Sequence, residues 1–216
     1  MTVGGVNVGV VTISASYGAG GSEIGPAVAA ALGLPFVDRA IPVGVARRMG
    51  VPLSDAEQKD ETYDTGLWRI VSSMALVPDL AGAGPLAYST LADDRAFREK
   101  TEQVLREIAG GTGGVILGRA GALVLGDVPG ALHVRLDGPE DARVAVAMRL
   151  TGRDERTCRE ELRGNDAART AYWRHFYRCD PTEPRHYHLV VDSTGFSFAT
   201  VADIVIAAAH ARGISR

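Results

Sequence analysis

The sequence predicts an α/β protein built on a five-stranded parallel sheet with helices packed on its faces. Three observations lead there. Short apolar runs alternate with longer stretches of helical spacing, as strand–helix–strand crossovers require. The first run, Val8–Ile13, is dominated by branched residues, which suits a central strand covered on both faces. A glycine-rich turn then leads directly into an alanine-rich helical segment. The chain has 216 residues, 46% apolar and 23% charged, which suits one core and disfavours disorder.

Taken in order, Val8–Ile13 is the first strand and Glu23–Leu32 the first helix. Pro26 is tolerated there because it falls in the first turn. Pro35–Val37 is a brief second strand, and Val115–Leu117, Leu132–Leu136 and Leu189–Val191 supply three more. Pro139–Leu150 and Ser197–Ala211 have helical spacing, the latter with Ser197 placed as a cap. Between Ala40 and Gly110 no strand signal occurs. Helices are expected at Ile41–Met49, Ser54–Glu61, Leu67–Leu76 and Asp93–Ala109, with a Gly/Ala/Pro-rich loop at Pro78–Leu91. The chain therefore reads as a single domain, with a core of residues 1–39 and 111–216 and a helical insertion at 40–110.

A formal charge of −3 argues against a general nucleic-acid binder, which needs a basic face. Only two of the 23 basic residues are lysine, Lys59 and Lys100, so any other cation in a site is arginine. Cys158 and Cys179 stand 21 residues apart without a CxxC pair, which disfavours a disulfide scaffold or zinc cage. Residues 1–22 carry no side-chain charge, but they lack a basic start and hold six glycines. The apolar part is too short to span a bilayer. No membrane association is expected, and a cytoplasmic location is.

The turn after the first strand reads Ser14-Ala15-Ser16-Tyr17-Gly18-Ala19-Gly20-Gly21-Ser22. A glycine-rich turn that opens a helix presents backbone N–H groups and a positive helix end to phosphate. Against G-x-x-x-x-G-K-[ST], Gly20 takes the second glycine and Ser22 the magnesium-binding hydroxyl. Ala15 replaces the first glycine, and Gly21 replaces the lysine. A dinucleotide-binding turn is the second reading, with Gly18-x-Gly20 and with Asp38 as a ribose acid, although Glu23 stands where the third glycine belongs. A purely structural turn is the third.

Longer segments carry a resemblance. Tyr17-Gly18-Ala19-Gly20-Gly21, the Leu32-Gly33-Leu34-Pro35-Phe36-Val37-Asp38-Arg39 stretch, Gly118-Arg119, Asp166-x-x-Arg169-x-x-Tyr172, Phe176-Tyr177-x-x-Asp180 and Tyr187–Asp192 follow one another as in the cytidylate kinase-like family. Over residues 8–206 the sequence resembles that family. The resemblance implies the P-loop nucleoside monophosphate kinase fold, with a substrate-covering insertion and a lid at about residues 150–165. It also implies ATP and Mg²⁺ as cofactors and a nucleoside monophosphate such as CMP or dCMP as substrate.

By the same resemblance, Gly18, Ala19, Gly20, Gly21 and Ser22 hold the donor phosphates, with Ser22 on the metal. Arg39, Arg119, Asp166 and Arg169 contact the acceptor, while Arg119, Arg153, Arg169 and Asp38 serve the chemistry. Ala120 stands where the family has an aspartate that reads cytosine, and Leu162 where it has the first arginine of R-x-x-x-D-x-x-R. With no loop lysine, the phosphate charge falls to Mg²⁺, backbone N–H groups and arginines. The alternative is a regulatory nucleotide-binding protein with little turnover. The oligomeric state is left open.

Other features have plainer readings. Six arginines between Arg149 and Arg169, interleaved with Asp and Glu, read mostly as a solvated helical face. Asp137 reads as a turn residue before Pro139, with a metal-site acid as the alternative. His186 and His188 are expected on one face of a short strand, and Tyr172, Trp173, Phe176 and Tyr177 form a helix packing stripe.

Overall fold

The computed structural model of the protein describes residues 9–39 and 91–215. The expected helices Ile41–Met49, Ser54–Glu61 and Leu67–Leu76, residues 78–90 of the expected loop and Lys59 lie outside the described residues. Arg39 and Lys100 are described by their backbone alone.

The described chain runs β1 (Val10–Ala15), α1 (Gly21–Leu32), β2 (Phe36–Arg39), α2 (Leu91–Gly110), β3 (Gly114–Gly118), α3 (Gly121–Val124), β4 (Leu132–Asp137), α4 (Glu140–Thr151), α5 (Glu155–Tyr177), β5 (Leu189–Asp192) and α6 (Phe198–Ala211). The sheet order is β2-β3-β1-β4-β5, parallel throughout. Every expected strand is present, each reaching one or two residues further at its C-terminal end. Cross-strand pairing explains this: Ser14 and Ala15 sit opposite Arg135 and Leu136, and Asp38 and Arg39 sit opposite Leu117 and Gly118. Because β1 lies between β3 and β4, β2 is displaced from it. A dinucleotide turn places its ribose acid on the strand beside β1. Asp38 is one strand too far away, so that reading fails.

On one face, α1 and α6 bury Val11, Ile13, Val134 and Leu136 of the central strands. On the other, Leu105 of α2 and Val124 of α3 pack on Val10 and Ile116. The Ser197 side chain accepts the Thr200 N–H and caps α6 as expected. The aromatic stripe packs as the spacing predicts: Tyr172 and Trp173 are buried against Ala120 and Ala122. One feature is unforeseen. The arginine-rich stretch from Arg156 onward and the aromatic stripe form a single 23-residue helix, α5, whose N-cap is Asp154.

Among the described residues, no helix is long and apolar enough to cross a membrane.

Candidate functional site

The C-terminal edge of a parallel sheet is where a glycine loop and strand-end residues converge. Here β1 ends at Ala15, and the Ser16 N–H continues its pairing with the Leu136 carbonyl at 3.0 Å. The chain then turns through Gly18 (φ 75°) and Gly20 (φ 73°), both in the left-handed region that glycine enters at least cost. Space demands glycine at both positions as well. A Cβ on Gly18 would stand 2.2 Å from the Arg143 carbonyl oxygen, and one on Gly20 2.5 Å from the Phe198 ring. Gly20 is the N-cap of α1 and brings no side-chain cap, while Ser22 is exposed in the first turn. Uncapped N–H groups, a positive helix end and a hydroxyl fit a phosphate with its divalent cation.

The lysine position has a steric explanation. A Cβ on Gly21 would lie 2.6 Å from the Ala15 Cβ and 3.1 Å from Leu117 Cδ1. Both departures from the phosphate-loop pattern therefore meet at one spot: the Ala15 methyl fills the space that a side chain at 21 would need.

Arginines surround the loop instead. Tyr17 is the hub. Its N–H donates to Asp166 Oδ1 at 3.1 Å, its carbonyl accepts from Arg143 Nη1 at 2.9 Å, and its hydroxyl donates to Glu161. Burial, reinforced by the Glu161 carboxylate, pushes the Tyr17 phenol above its ordinary range, so it stays a donor. Asp166 also takes Arg143 Nη1 at 2.7 Å and Arg169 Nη1 at 2.8 Å. Burial lowers the Arg169 pKa, partly offset by Asp166. Arg135, 4% exposed, donates to Ser16 Oγ at 3.1 Å, to Asp137 at 2.6 Å and to the Pro181 carbonyl at 3.0 Å.

Sequence reasoning missed Tyr17, Arg135 and Arg143 as site residues. A charged residue inside the apolar run Leu132–Leu136 was an available signal for Arg135. Arg143 had none, since it sits among Val144, Val146 and Ala147 on an ordinary helix.

Of the expected site residues, Gly18–Gly20 form the turn and Gly21 and Ser22 open α1, while Asp166 accepts the Tyr17 N–H and Arg169 donates to Asp166. Arg153 stands between α4 and α5 and pairs with the buried Glu161, which also receives the Tyr17 hydroxyl. Arg119 lies at the end of β3, only 9% exposed. Gly118, Arg119 and Ala120 are successive left-handed residues with φ of 79°, 55° and 50°. Holding non-glycine residues there costs about 1 kcal/mol each, the kind of local strain that collects at functional turns. In register, Arg39 is opposite Gly118 and Asp38 opposite Leu117, so both reach the same sheet edge as Arg119.

Two plainer readings need correction. Asp137 is the last residue of β4 rather than part of a turn. Burial opposes its charge, but Arg135, together with the Ser16 hydroxyl and the Gly138 N–H, outweighs that and holds the carboxyl below its usual range. Arg143 Nε stands 3.6 Å away. His186 and His188 do not share a strand face. His186 belongs to a 3₁₀ turn, Pro184–His186, while His188 stacks on His133 at 4.9 Å. The remaining arginines of the stretch behave as a solvated face, Arg156 pairing with Glu160 and Arg159 with Glu155 at i,i+4 spacing.

The chain is similar to several known proteins. A solved structure of an uncharacterized protein from Eubacterium ventriosum ATCC 27560 superposes with a TM-score of 0.66 at 16% identity, covering 93% of this chain and 98% of that one. A gluconokinase from Sinorhizobium meliloti 1021 matches at a TM-score of 0.48 and 16% identity, over 94% of this chain and 93% of its own. In sequence, the chain is 32% identical over 159 residues to a protein of Corynebacterium glutamicum named uronate isomerase; the match spans 71% of this chain but only 30% of that protein. The family model described as the cytidylate kinase-like family matches residues 10–195. With its glycine loop at the edge of a β2-β3-β1-β4-β5 parallel sheet, the chain belongs to the cytidylate kinase-like family and has the P-loop nucleoside monophosphate kinase fold.

Proposed function

We propose that the protein is an ATP-dependent nucleoside monophosphate kinase that phosphorylates CMP, dCMP or a related monophosphate in the cytoplasm. The observation that carries this reading is the uncapped glycine loop opening α1 with Arg135, Arg143 and Arg169 gathered around it. Phosphoryl transfer asks mainly for positioned reactants and neutralised charge, and this set supplies both.

In this reading the loop, Gly18–Ser22, holds the donor phosphates. Ser22 would hold Mg²⁺, which would screen the phosphate charge. Arg39 and Arg119, which share the C-terminal edge of β2 and β3, hold the acceptor phosphate, and Asp38 beside them orients it. The resemblance implies Asp166 and Arg169 at the acceptor, but in this reading they serve the donor side, where Asp166 accepts the Tyr17 N–H and Arg169 donates to Asp166. Arg153 closes over the donor from the α4–α5 connection.

A second reading, nucleotide binding without useful turnover, is favoured by one observation: the Ala15 methyl closes the lysine position. One assay separates the two. Purified protein, ATP and Mg²⁺ are incubated with a panel of nucleoside monophosphates, and ADP release is followed. The kinase reading expects turnover that depends on a monophosphate, with a cytidine nucleotide among those accepted. ATP binding without turnover on any of them contradicts it. An Arg119→Ala variant is expected to raise KM for the accepted monophosphate, and unchanged kinetics remove Arg119 from the site.

A further inference from the structure

The phosphate loop is bound to an anion that the chain itself carries. All three polar groups of Tyr17 are taken by the α4–α5 pair: the N–H by Asp166, the carbonyl by Arg143 and the hydroxyl by Glu161. The Asp166 carboxylate in turn collects three donors, the Tyr17 N–H at 3.1 Å, Arg143 Nη1 at 2.7 Å and Arg169 Nη1 at 2.8 Å. A loop N–H flanked by two guanidinium groups is a donor set suited to phosphate oxygens. We propose that Asp166 is a latch, whose carboxylate occupies an anion subsite formed by the Tyr17 N–H, Arg143 and Arg169, and that a nucleotide phosphate enters by displacing it. This rests on the phosphate-loop reading above and adds how that loop is gated.

The three members are unequally held. Arg143 has anchors that do not depend on Asp166: Nε donates to the Gly138 carbonyl at 2.9 Å and Nη1 to the Tyr17 carbonyl at 2.9 Å. It therefore stays at the loop when the carboxylate leaves. Asp166 is the most open member, its side chain 30% exposed against 10% for Arg143 and 24% for Arg169. Arg169 is the member least able to stand alone, since burial works against its charge and Asp166 supports it. Loss of the latch is thus favourable only when another anion takes its place, so that one negative group replaces another. The Tyr17–Glu161 hydrogen bond holds α5 against the loop independently of Asp166.

The latch has a distinctive consequence. A structural pin, once neutralised, weakens the loop and lowers affinity for phosphate. A competing internal anion, once neutralised, raises it. The test titrates inorganic pyrophosphate calorimetrically into the full chain as wild type, Asp166→Asn and Asp166→Asn/Arg169→Gln. Asp166→Asn is expected to bind pyrophosphate about fivefold tighter or better, and the added Arg169→Gln to cancel the gain. Unchanged or weaker binding by folded Asp166→Asn overturns the latch.

The wild type offers a readout that does not depend on that variant folding. As pyrophosphate is added, the Asp166 carboxyl ¹³C resonance is expected to move to a free-aspartate position in step with the Tyr17 amide. A stationary carboxyl with a shifting Tyr17 amide overturns the proposal. Absence of both pyrophosphate and ATP binding in every form overturns the phosphate-loop reading and the latch with it. Binding that ignores Asp166 overturns the latch alone.

Discussion

The two ends of β4 bury polar side chains on the same face of the sheet and treat them differently. At the loop end, Arg135 is 4% exposed yet charged, held by Asp137, Ser16 and the Pro181 carbonyl. At the other end, His133 is also 4% exposed, but its Nδ1 hydrogen bonds with the Thr12 hydroxyl at 2.8 Å and its ring stacks on His188. Burial, with help from His188 and Arg212, pushes the His133 pKa down to about 4, so it is neutral at pH 7. One strand thus carries a compensated charge where phosphate is expected and an uncharged pair where it is not. Buried charge is costly unless paired, and here it is confined to the end that has a use for it.

Four substitutions or conditions probe that contrast. Arg135→Met removes the partner of a half-buried carboxylate and leaves Ser16 and Pro181 short of a donor. It is expected to lower unfolding free energy by about 3–5 kcal/mol, as breaking a buried pair does. Urea denaturation measures this, and a loss below about 1 kcal/mol would mean that the charge at this end is not structurally coupled to the loop.

Acid should strain the other end. A histidine depressed from 6.5 to about 4 in the folded state binds its proton more readily when unfolded. Stability is therefore full above pH 6.5 and falls as pH drops toward 4, by about 3 kcal/mol at most. His133→Gln, which keeps a partner for Thr12, is expected to flatten the pH dependence of Tm across this window. A curve unchanged by the substitution assigns the acid sensitivity elsewhere.

Gly21→Lys asks whether the loop end can regain a lysine. The Cβ would stand 2.6 Å from the Ala15 Cβ. Such overpacking is expected to cost about 2 kcal/mol. Ala15→Gly/Gly21→Lys should recover at least half of that, a coupling that a double-mutant cycle reads directly. Additive losses would show that the two departures from the phosphate-loop pattern are independent. The smallest effect is expected at Ser197→Ala, which removes the α6 cap and costs about 1 kcal/mol without altering the pH dependence.

Strands and helices in the described core were largely legible, because branched runs and alanine-rich segments follow from local spacing. The glycine loop was legible for the same reason: its residues are contiguous, and their chemistry does not depend on distant parts of the chain. The network around the loop was not. Tyr17 meets Asp166 across 149 residues and Arg143 across 126, and no periodicity encodes such contacts. Asp166 and Arg169 were visible only through the family resemblance. Arg143 looks in sequence like any arginine on an amphipathic helix. That α5 is one continuous helix was not legible, because its first half is charged and its second half aromatic, although its backbone hydrogen bonding is indifferent to that change.

The central claim is that arginines do at this loop what a lysine does elsewhere. Steady-state ADP formation from ATP·Mg²⁺ and the accepted cytidine monophosphate, measured for wild type and Arg169→Gln alongside calorimetric ATP binding, tests it most directly. The account predicts wild-type turnover, with kcat in the variant reduced by about a hundredfold or more while ATP still binds. Equal kcat for the two proteins, or no wild-type turnover on any monophosphate, would contradict it.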